Sequence, residues 1–270
     1  GWSGSSWFDG TNLAASKEVV VVSLAYRLGG LGFMVLPGVD NSTRPSGGNG
    51  GANGMGDMRV ALQWVQANIA SYGGDGSKIT VFGESSGGLA ACTMIISPLF
   101  ADLGIQRIIV QSGPCAGHND STWSRGSGWA PNDAMVAAAA TASVMKANGV
   151  STLAGLRLIA DPTKLAWKNS IMTYNFASYF VDGWILPDTP RNMLENAAPY
   201  PVNVDAVIVG HTSKDGTVGF YDGCPTRYTP STAAQYKAAL HTHQWSPTRA
   251  AAIMKQYPLS RFNQDLVSAF

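Results

Sequence analysis

The sequence predicts an α/β fold, with a mostly parallel central sheet and helices on both faces. Three observations carry that reading. Short strand-like runs alternate with helix-like ones, one run is continuously Val-rich, and a glycine-flanked serine stands at a strand-to-helix junction.

Strands buried on both faces show near-continuous apolar runs in place of alternation. Glu18 to Tyr26, which opens on four consecutive valines, is predicted to be such a strand. Gly29 to Gly56 is rich in Gly and Asn and is expected to be a long surface loop. Asp57 to Ser71 sets Met58, Leu62, Val65 and Ile69 on one helical stripe. Ile79 to Phe82 reads as a short strand, followed by a small-residue helical run from Ser86 to Ile96. Ile105 to Gln111 and Val204 to Gly210 are further strands, and Ala-rich Asn132 to Asn148 is a helix with Gly149 placed to cap it. Arg261 to Phe270 holds Phe262, Leu266 and Phe270 at helical spacing with no closing glycine, proline or polar tail. Together with a first residue, Gly1, that is not methionine, this predicts a chain incomplete at both ends. Neither a repeat nor a linker divides residues 1–270, so a single domain is expected.

Composition narrows the function classes. The 270 residues are 45% apolar and 13% charged, enough apolar surface for a packed core and too much for disorder. Eighteen basic and 17 acidic side chains leave a net charge of +1, without the field of a general nucleic-acid binder. The longest clean apolar stretch, Val19 to Tyr26, is too short to span a bilayer. Cys92, Cys115 and Cys224 have no metal-ligand spacing, and at most one pair of them can form a disulfide. Sequons at Asn41 and Asn119 are compatible with secretion and leave the compartment open.

Gly83-Glu84-Ser85-Ser86-Gly87 lies between the strand ending at Phe82 and the helical run that follows. In that context Gly-x-Ser-x-Gly is the pattern of a nucleophile elbow. A sharp strand-to-helix turn brings backbone against backbone, and glycine two residues to either side avoids collision. The turn pushes the central hydroxyl out at the carboxyl edge of the sheet, where the next helix aims its amides and dipole at an oxyanion. Ser85 fits as nucleophile; Ser86 does not, because Glu84 stands where it would need glycine. The competing reading is a purely structural Gly/Ser turn. Neither GxGxxG after a strand nor GxxxxGK[ST] occurs among 31 glycines, so no cofactor is expected.

Around the elbow stand VVVVSLAYRLG from Val19 to Gly29, NGMGDMRVALQWVQANI from Asn53 to Ile69, and Tyr72-Gly73-Gly74-Asp75. Gln111-Ser112-Gly113 and Val181-Asp182-Gly183 follow downstream. With these stretches the sequence resembles, over nearly its whole length, the type-B carboxylesterases, the cholinesterase and carboxylesterase/lipase family of α/β-hydrolases. The resemblance implies hydrolysis of a small-molecule carboxylic ester through an acyl-enzyme on Ser85. It also implies oxyanion donors from the amide of Ser86, where the family usually has alanine, and from a His-Gly-Gly-Gly-type loop. Gly1 would be the last glycine of that loop.

The family's acid loop is resembled by Gly210 to Gly216, with Asp215 where glutamate is usual; aspartate is an acceptable third member of such a triad. The competing reading of Asp215 is a turn aspartate before glycine. Asp182 resembles a structural family residue, Asp188 precedes a helix start, and Asp205 lies at the wrong edge of the sheet. Glu84 and Ser112 resemble family residues that support a buried polar network near the serine; ordinary buried polar groups are the alternative. Trp129 and Trp184 are candidates for lining a pocket, although core packing accounts for most of the tryptophans.

The base is unassigned. The fold's chain order is nucleophile, acid, histidine, and the family's histidine sits in a Gly-x-x-His-Gly-like loop past where this chain stops. His118 and His211 precede the acid, while His241 and His243 follow it without the expected glycines. The His-x-His pair lacks a third ligand, so no metal is expected. Loss of the base typically removes about four to six orders of magnitude in rate, so this chain by itself is expected to be a weak esterase or an inactive one. An incomplete sheet is also expected to expose apolar surface and invite association. The alternative to an esterase is a non-catalytic cholinesterase-like interaction module or truncated pseudoenzyme, against which the retained Ser85 argues.

Overall fold

The computed structural model describes residues 8–34, 52–113, 115, 134–165, 184–188, 192–194, 201–212 and the single positions 234, 251 and 255. Two compact units divide the chain, Gly1–Gly210 and His211–Phe270. All the elements below belong to the first. In chain order they are α1 (Thr11–Lys17), α2 (Gly29–Phe33), α3 (Asn53–Asn68), β1 (Ile79–Glu84), α4 (Ser86–Ile96), β2 (Ile105–Gln111), α5 (Ala134–Ala147), α6 (Leu153–Arg157) and β3 (Ala206–Gly210).

The three strands form one parallel sheet in the order β1-β2-β3. Their register sets Val81 beside Ile108 and Val207, and Gly83 beside Val110 and Val209. Ile108 and Val110 are fully buried on that face, where Leu89, Cys92 and Ile96 of α4 and Met55, Met58 and Leu62 of α3 join one core. α4 is buried from Gly88 to Ile96, apolar on every side as a helix inside a core must be. Its buried Thr93 hydroxyl donates to the Leu89 carbonyl at 2.9 Å. The other face carries the cross-strand row Phe82, Ile109 and Ile208, with Phe82 53% and Ile208 61% exposed.

Two expectations are corrected. Residues 18–26 are not a strand of this sheet: the hydrogen-bonded order is complete without them, and Val19, Val20 and Val22 are 46%, 41% and 42% exposed. Valine favours a pleated, half-buried surface, and that preference needs a ladder partner to be realised. Here the segment leaves α1 through Glu18 at φ 53°, and only Leu24 and Tyr26 pack against the core.

The second correction concerns the loop expected over Gly29 to Gly56. Both of its ends are helical, and Gly30, Gly32, Phe33, Ala52 and Gly54 are buried. A Cβ on Gly32 or Gly54 would meet the Arg27 carbonyl oxygen at 2.1 or 2.7 Å. These glycines allow close backbone approach and do not mark a flexible loop. Residues 35–51, between them, lie outside the described residues.

Helices α3 and α5 and strand β3 follow the sequence closely, whereas α1 and α6 had no counterpart in it. α3 starts at Asn53, ahead of the expected Asp57, and passes through a 3₁₀ turn at Ile69–Tyr72 to Gly73 at φ 81°. Met58, Leu62 and Ile69 are buried and Val65 is packed against the core, as the stripe requires. Gly149, at φ 65°, follows α5. β3 is one turn of pleat shorter than Val204 to Gly210, although the Asp205 amide already donates to the Gln106 carbonyl at 2.7 Å. Among the described residues no helix is long and apolar enough to cross a membrane. The helical pattern at Arg261 to Phe270 lies outside them.

Candidate active site

Parallel register brings three strand ends to one edge. Glu84 pairs with Gln111, and Gln111 with Gly210. Neighbouring strands lie about 4.8 Å apart, which sets the end of β3 roughly 10 Å from the end of β1. Ser85 opens immediately beyond β1, Ser112 beyond β2 and His211 beyond β3.

Ser85 has φ 54° and ψ −117°, a conformation that side-chain-bearing residues adopt only when their surroundings enforce it. The surroundings are on both sides. Its amide donates to the Gln111 carbonyl at 2.9 Å, and its carbonyl accepts from the Leu89 amide at 3.0 Å as the first bond of α4. The Gly83 backbone runs so close to Gly87 that a Cβ on Gly83 would stand 2.4 Å from the Gly87 carbonyl carbon. The reverse does not hold. A Cβ on Gly87 meets nothing within 4 Å, so steric need for glycine falls on Gly83 alone. Ser85 is half-buried and sits at the N-terminal end of an 11-residue helix, whose unpaired amides and positive dipole end face it.

Ser86 begins α4, and its hydroxyl lies beside the Tyr26 phenol. Burial pushes the Tyr26 phenol above its ordinary pKa, and the neighbouring Ser86 hydroxyl offsets part of that rise. Tyr26 is a site residue that the sequence did not single out.

Ser112 is half-buried at φ 49°, and its amide donates to the Gly210 carbonyl at 2.7 Å. Glu84, expected in a buried polar network, is instead exposed: alternation along β1 puts it on the same uncovered face as Thr80 and Phe82. Trp184 packs against the core. Asp188 is exposed and accepts from the Asn192 amide at 3.2 and 3.3 Å, just ahead of a helical stretch at 192–194. Asp205 precedes β3 at the amino edge, away from Ser85. Cys92 and Cys115 form a disulfide. Among the described residues no group of three His, Cys, Asp or Glu side chains is placed to hold a metal. Gly1, His118, Trp129, Asp182, Asp215, Cys224, His241 and His243 lie outside the described residues, as do both sequons.

A glycine-flanked serine at a strained strand-to-helix turn on a parallel sheet points to the class of fold, and comparison with known proteins supplies the family. The model of the carboxylesterase family matches residues 1–267. The chain is 32% identical to the cholinesterase of Mus musculus over 230 residues, 81% of this chain and 34% of the mouse protein. It is 32% identical to the bile salt-activated lipase of Rattus norvegicus over 197 residues, 71% of this chain and 30% of that protein. With Cholinesterase 1 of Branchiostoma lanceolatum it shares 44% identity over 105 residues, 39% of this chain and 27% of the relative. The chain belongs to the carboxylesterase family, and its fold is that of an α/β-hydrolase. It spans about a third of the length of these relatives.

Proposed function

We propose that Ser85 is the nucleophile of an enzyme that hydrolyses carboxylic esters through an acyl-enzyme. The observation that carries this reading is the enforced positive φ of Ser85 at the carboxyl edge of the sheet, directly before α4. The relatives named a cholinesterase and a bile salt-activated lipase support the reaction class.

In this mechanism the Ser85 Oγ attacks the ester carbonyl carbon and its proton passes to a base. The carbonyl π electrons move onto oxygen, where the Ser86 amide and the positive end of α4 stabilise the charge. Gly1 is proposed as a second amide donor. Collapse of the tetrahedral species breaks the bond to the alcohol, which takes the proton from the base. Water then repeats the sequence on the acyl-enzyme and releases the acid. Asp215 is proposed to orient the base: it stands five residues past the end of β3 in the sequence, and β3 ends on the same edge as the elbow. The base itself is proposed to be a histidine beyond these 270 residues: the order nucleophile, acid, histidine places it after Asp215, and His241 and His243 lack the glycines of the expected loop. The 270 residues are proposed to form part of one hydrolase domain, a reading supported by the continuous family match over 1–267.

The test is hydrolysis of a p-nitrophenyl ester of a short acid by the full-length protein that contains this chain. Ser85→Ala is expected to lower kcat by about 10⁶-fold, leaving the residue of activity that binding and the oxyanion site supply. Asp215→Asn is expected to lose about 10⁴-fold, because the base is no longer held in its working tautomer. An unchanged rate in Ser85→Ala sinks the reading and leaves the non-catalytic interaction module in its place.

A further inference from the structure

The Cys92–Cys115 disulfide takes no part in the chemistry above, yet it joins the two elements that hold Ser85. Cys92 lies on α4, the helix that Ser85 opens, and Cys115 lies on the turn leaving β2, just past Ser112 and Gly113. Their Cα atoms are 5.3 Å apart, within the span a disulfide bridges. The same two elements meet at two other points. The Gln111 carbonyl accepts from the Ser85 amide, and Gly113 abuts Gly88 so closely that a Cβ on Gly113 would stand 2.6 Å from the Gly88 carbonyl carbon. The turn also continues to β3, through the Ser112 amide on the Gly210 carbonyl. The elbow, the 111–113 turn and the end of the strand that leads to Asp215 therefore form one connected row.

The second of these ties is weak. Two glycines in contact offer no side-chain area to hold them together. Ser112, at φ 49°, keeps its conformation only because its neighbours impose it. The disulfide is the covalent brace of this row, placed just beyond its strained residue.

We propose that the Cys92–Cys115 disulfide is a positioning clamp for the Ser85 elbow, and that a small dithiol lowers the activity of the site by opening it. The effect on activity rests on the ester-hydrolase reading; the clamp itself does not. Cys92 is only 4% exposed whereas Cys115 is half-buried, so the incoming thiolate attacks the Cys115 Sγ and Cys92 leaves as thiolate. The second thiol of the reductant then attacks its own sulfur in the mixed disulfide and releases Cys115. Two electrons and two protons pass to the protein, giving two cysteine thiols, and the reductant ends as a cyclic disulfide. With the brace open, the 111–113 turn relaxes, and the carbonyl that holds the Ser85 amide shifts.

The experiment compares the full-length protein before and after dithiothreitol, with the freed thiols capped by iodoacetamide. Hydrogen exchange at the Ser85 and Ser112 amides is expected to accelerate by about tenfold or more, while the ladder amides between β1 and β2 keep their protection. Ester turnover is expected to lose about tenfold in kcat with KM within about twofold, since a small displacement of a positioned group costs rate more than binding. Reoxidation of uncapped protein restores both. Cys115→Ser is expected to match the reduced protein and to ignore dithiothreitol, which separates this disulfide from any other in the full chain. Unchanged exchange at Ser85 and Ser112 overturns the proposal, and so does acceleration spread evenly over the sheet, the mark of a general brace. Full kcat in the reduced protein or in Cys115→Ser overturns it as well. If no Ser85-dependent hydrolysis exists at all, the ester-hydrolase reading fails, and the exchange measurement still decides the clamp.

Discussion

The Arg27 guanidinium grips the Asp57 carboxylate at two points, Nη2 to Oδ1 at 2.7 Å and Nε to Oδ2 at 2.8 Å, while the Arg27 amide donates to the same Oδ2 at 2.9 Å. One carboxylate near the start of α3 thus fixes both the side chain and the backbone of the segment that carries Tyr26. The Arg27 carbonyl in turn lies against Gly32 and Gly54, which tolerate it because they have no side chains.

This pair has a pH signature. Partial burial pushes the Asp57 carboxyl up, but the side-chain and backbone hydrogen bonds from Arg27, with its charge, outweigh that and hold it below the usual carboxylate range. A depressed folded-state pKa stabilises the fold above the unfolded value of about 3.9, and that contribution is lost as pH falls through the folded value. Asp57→Asn is therefore expected to lower stability at pH 7 by about 1–2 kcal/mol, a figure kept small because Arg27 is largely exposed to solvent. Urea midpoints of the two proteins should converge as pH falls below the ordinary carboxylate range. A gap that stays constant with pH would show that the pair contributes through packing and not through charge.

The asymmetry between Gly83 and Gly87 gives a sharper test of the elbow. A methyl on Gly83 is driven into the Gly87 backbone at 2.4 Å, and the neighbour that must yield is main chain. Gly83→Ala is expected to cost about 3 kcal/mol or more, with loss of Ser85-dependent turnover. Gly87→Ala meets open space inside a helix, where alanine gains up to about 1 kcal/mol over glycine. Thermal unfolding of the two variants should move in opposite directions; equal losses would mean that the backbone approach at the elbow is not as close as described.

Tyr26 and Ser86 are neighbours beside Ser85. Tyr26→Phe removes the hydroxyl that neighbours Ser86 and keeps the ring packed against the core. The expected outcome is a several-fold drop in kcat, about 0.5–1.5 kcal/mol, with little change in KM. In a Ser86→Ala background the same substitution should have no further effect, because the interaction is already gone. Additive losses in the double variant would show that Tyr26 acts on the site by another route.

How far the sequence reached depended on whether a feature is local. The elbow was legible because strand, glycine, serine and helix are consecutive, and β1, α4 and β2 fell close to where the pattern put them. The stripe of Met58, Leu62 and Ile69 was legible for the same reason. The valine run at 19–22 misled because strand propensity says nothing about which partner takes up the hydrogen bonds. At its two ends the Gly-rich stretch misled because glycine serves close packing as well as turns: Gly32 and Gly54 are needed by a carbonyl far from Gly54 in the chain. Long-range ties such as Arg27 with Asp57, Tyr26 with Ser86 and Cys92 with Cys115 leave no periodic trace. Glu84 resembled a buried family residue, yet alternation along β1 set it on the open face.

That open face leads to the last prediction. Phe82, Ile109 and Ile208 are cross-strand neighbours on one surface of the sheet, and Phe82 and Ile208 expose more than half of their area. Val207 and Val209 of β3 are 45% and 62% exposed on the opposite side. Apolar side chains aligned across three strands offer a flat template, and burying each contributes about 1.5–3 kcal/mol. The 270-residue chain is therefore expected to self-associate in a concentration-dependent way, through the row rather than through scattered contacts. Ile208→Thr with Phe82→Ser removes most of the row and leaves the buried Ile108 and Val110 untouched. Sedimentation velocity should show the variant largely monomeric at concentrations where the parent chain is not. A parent chain that stays monomeric throughout, or a variant that associates equally, would place the sticking surface elsewhere.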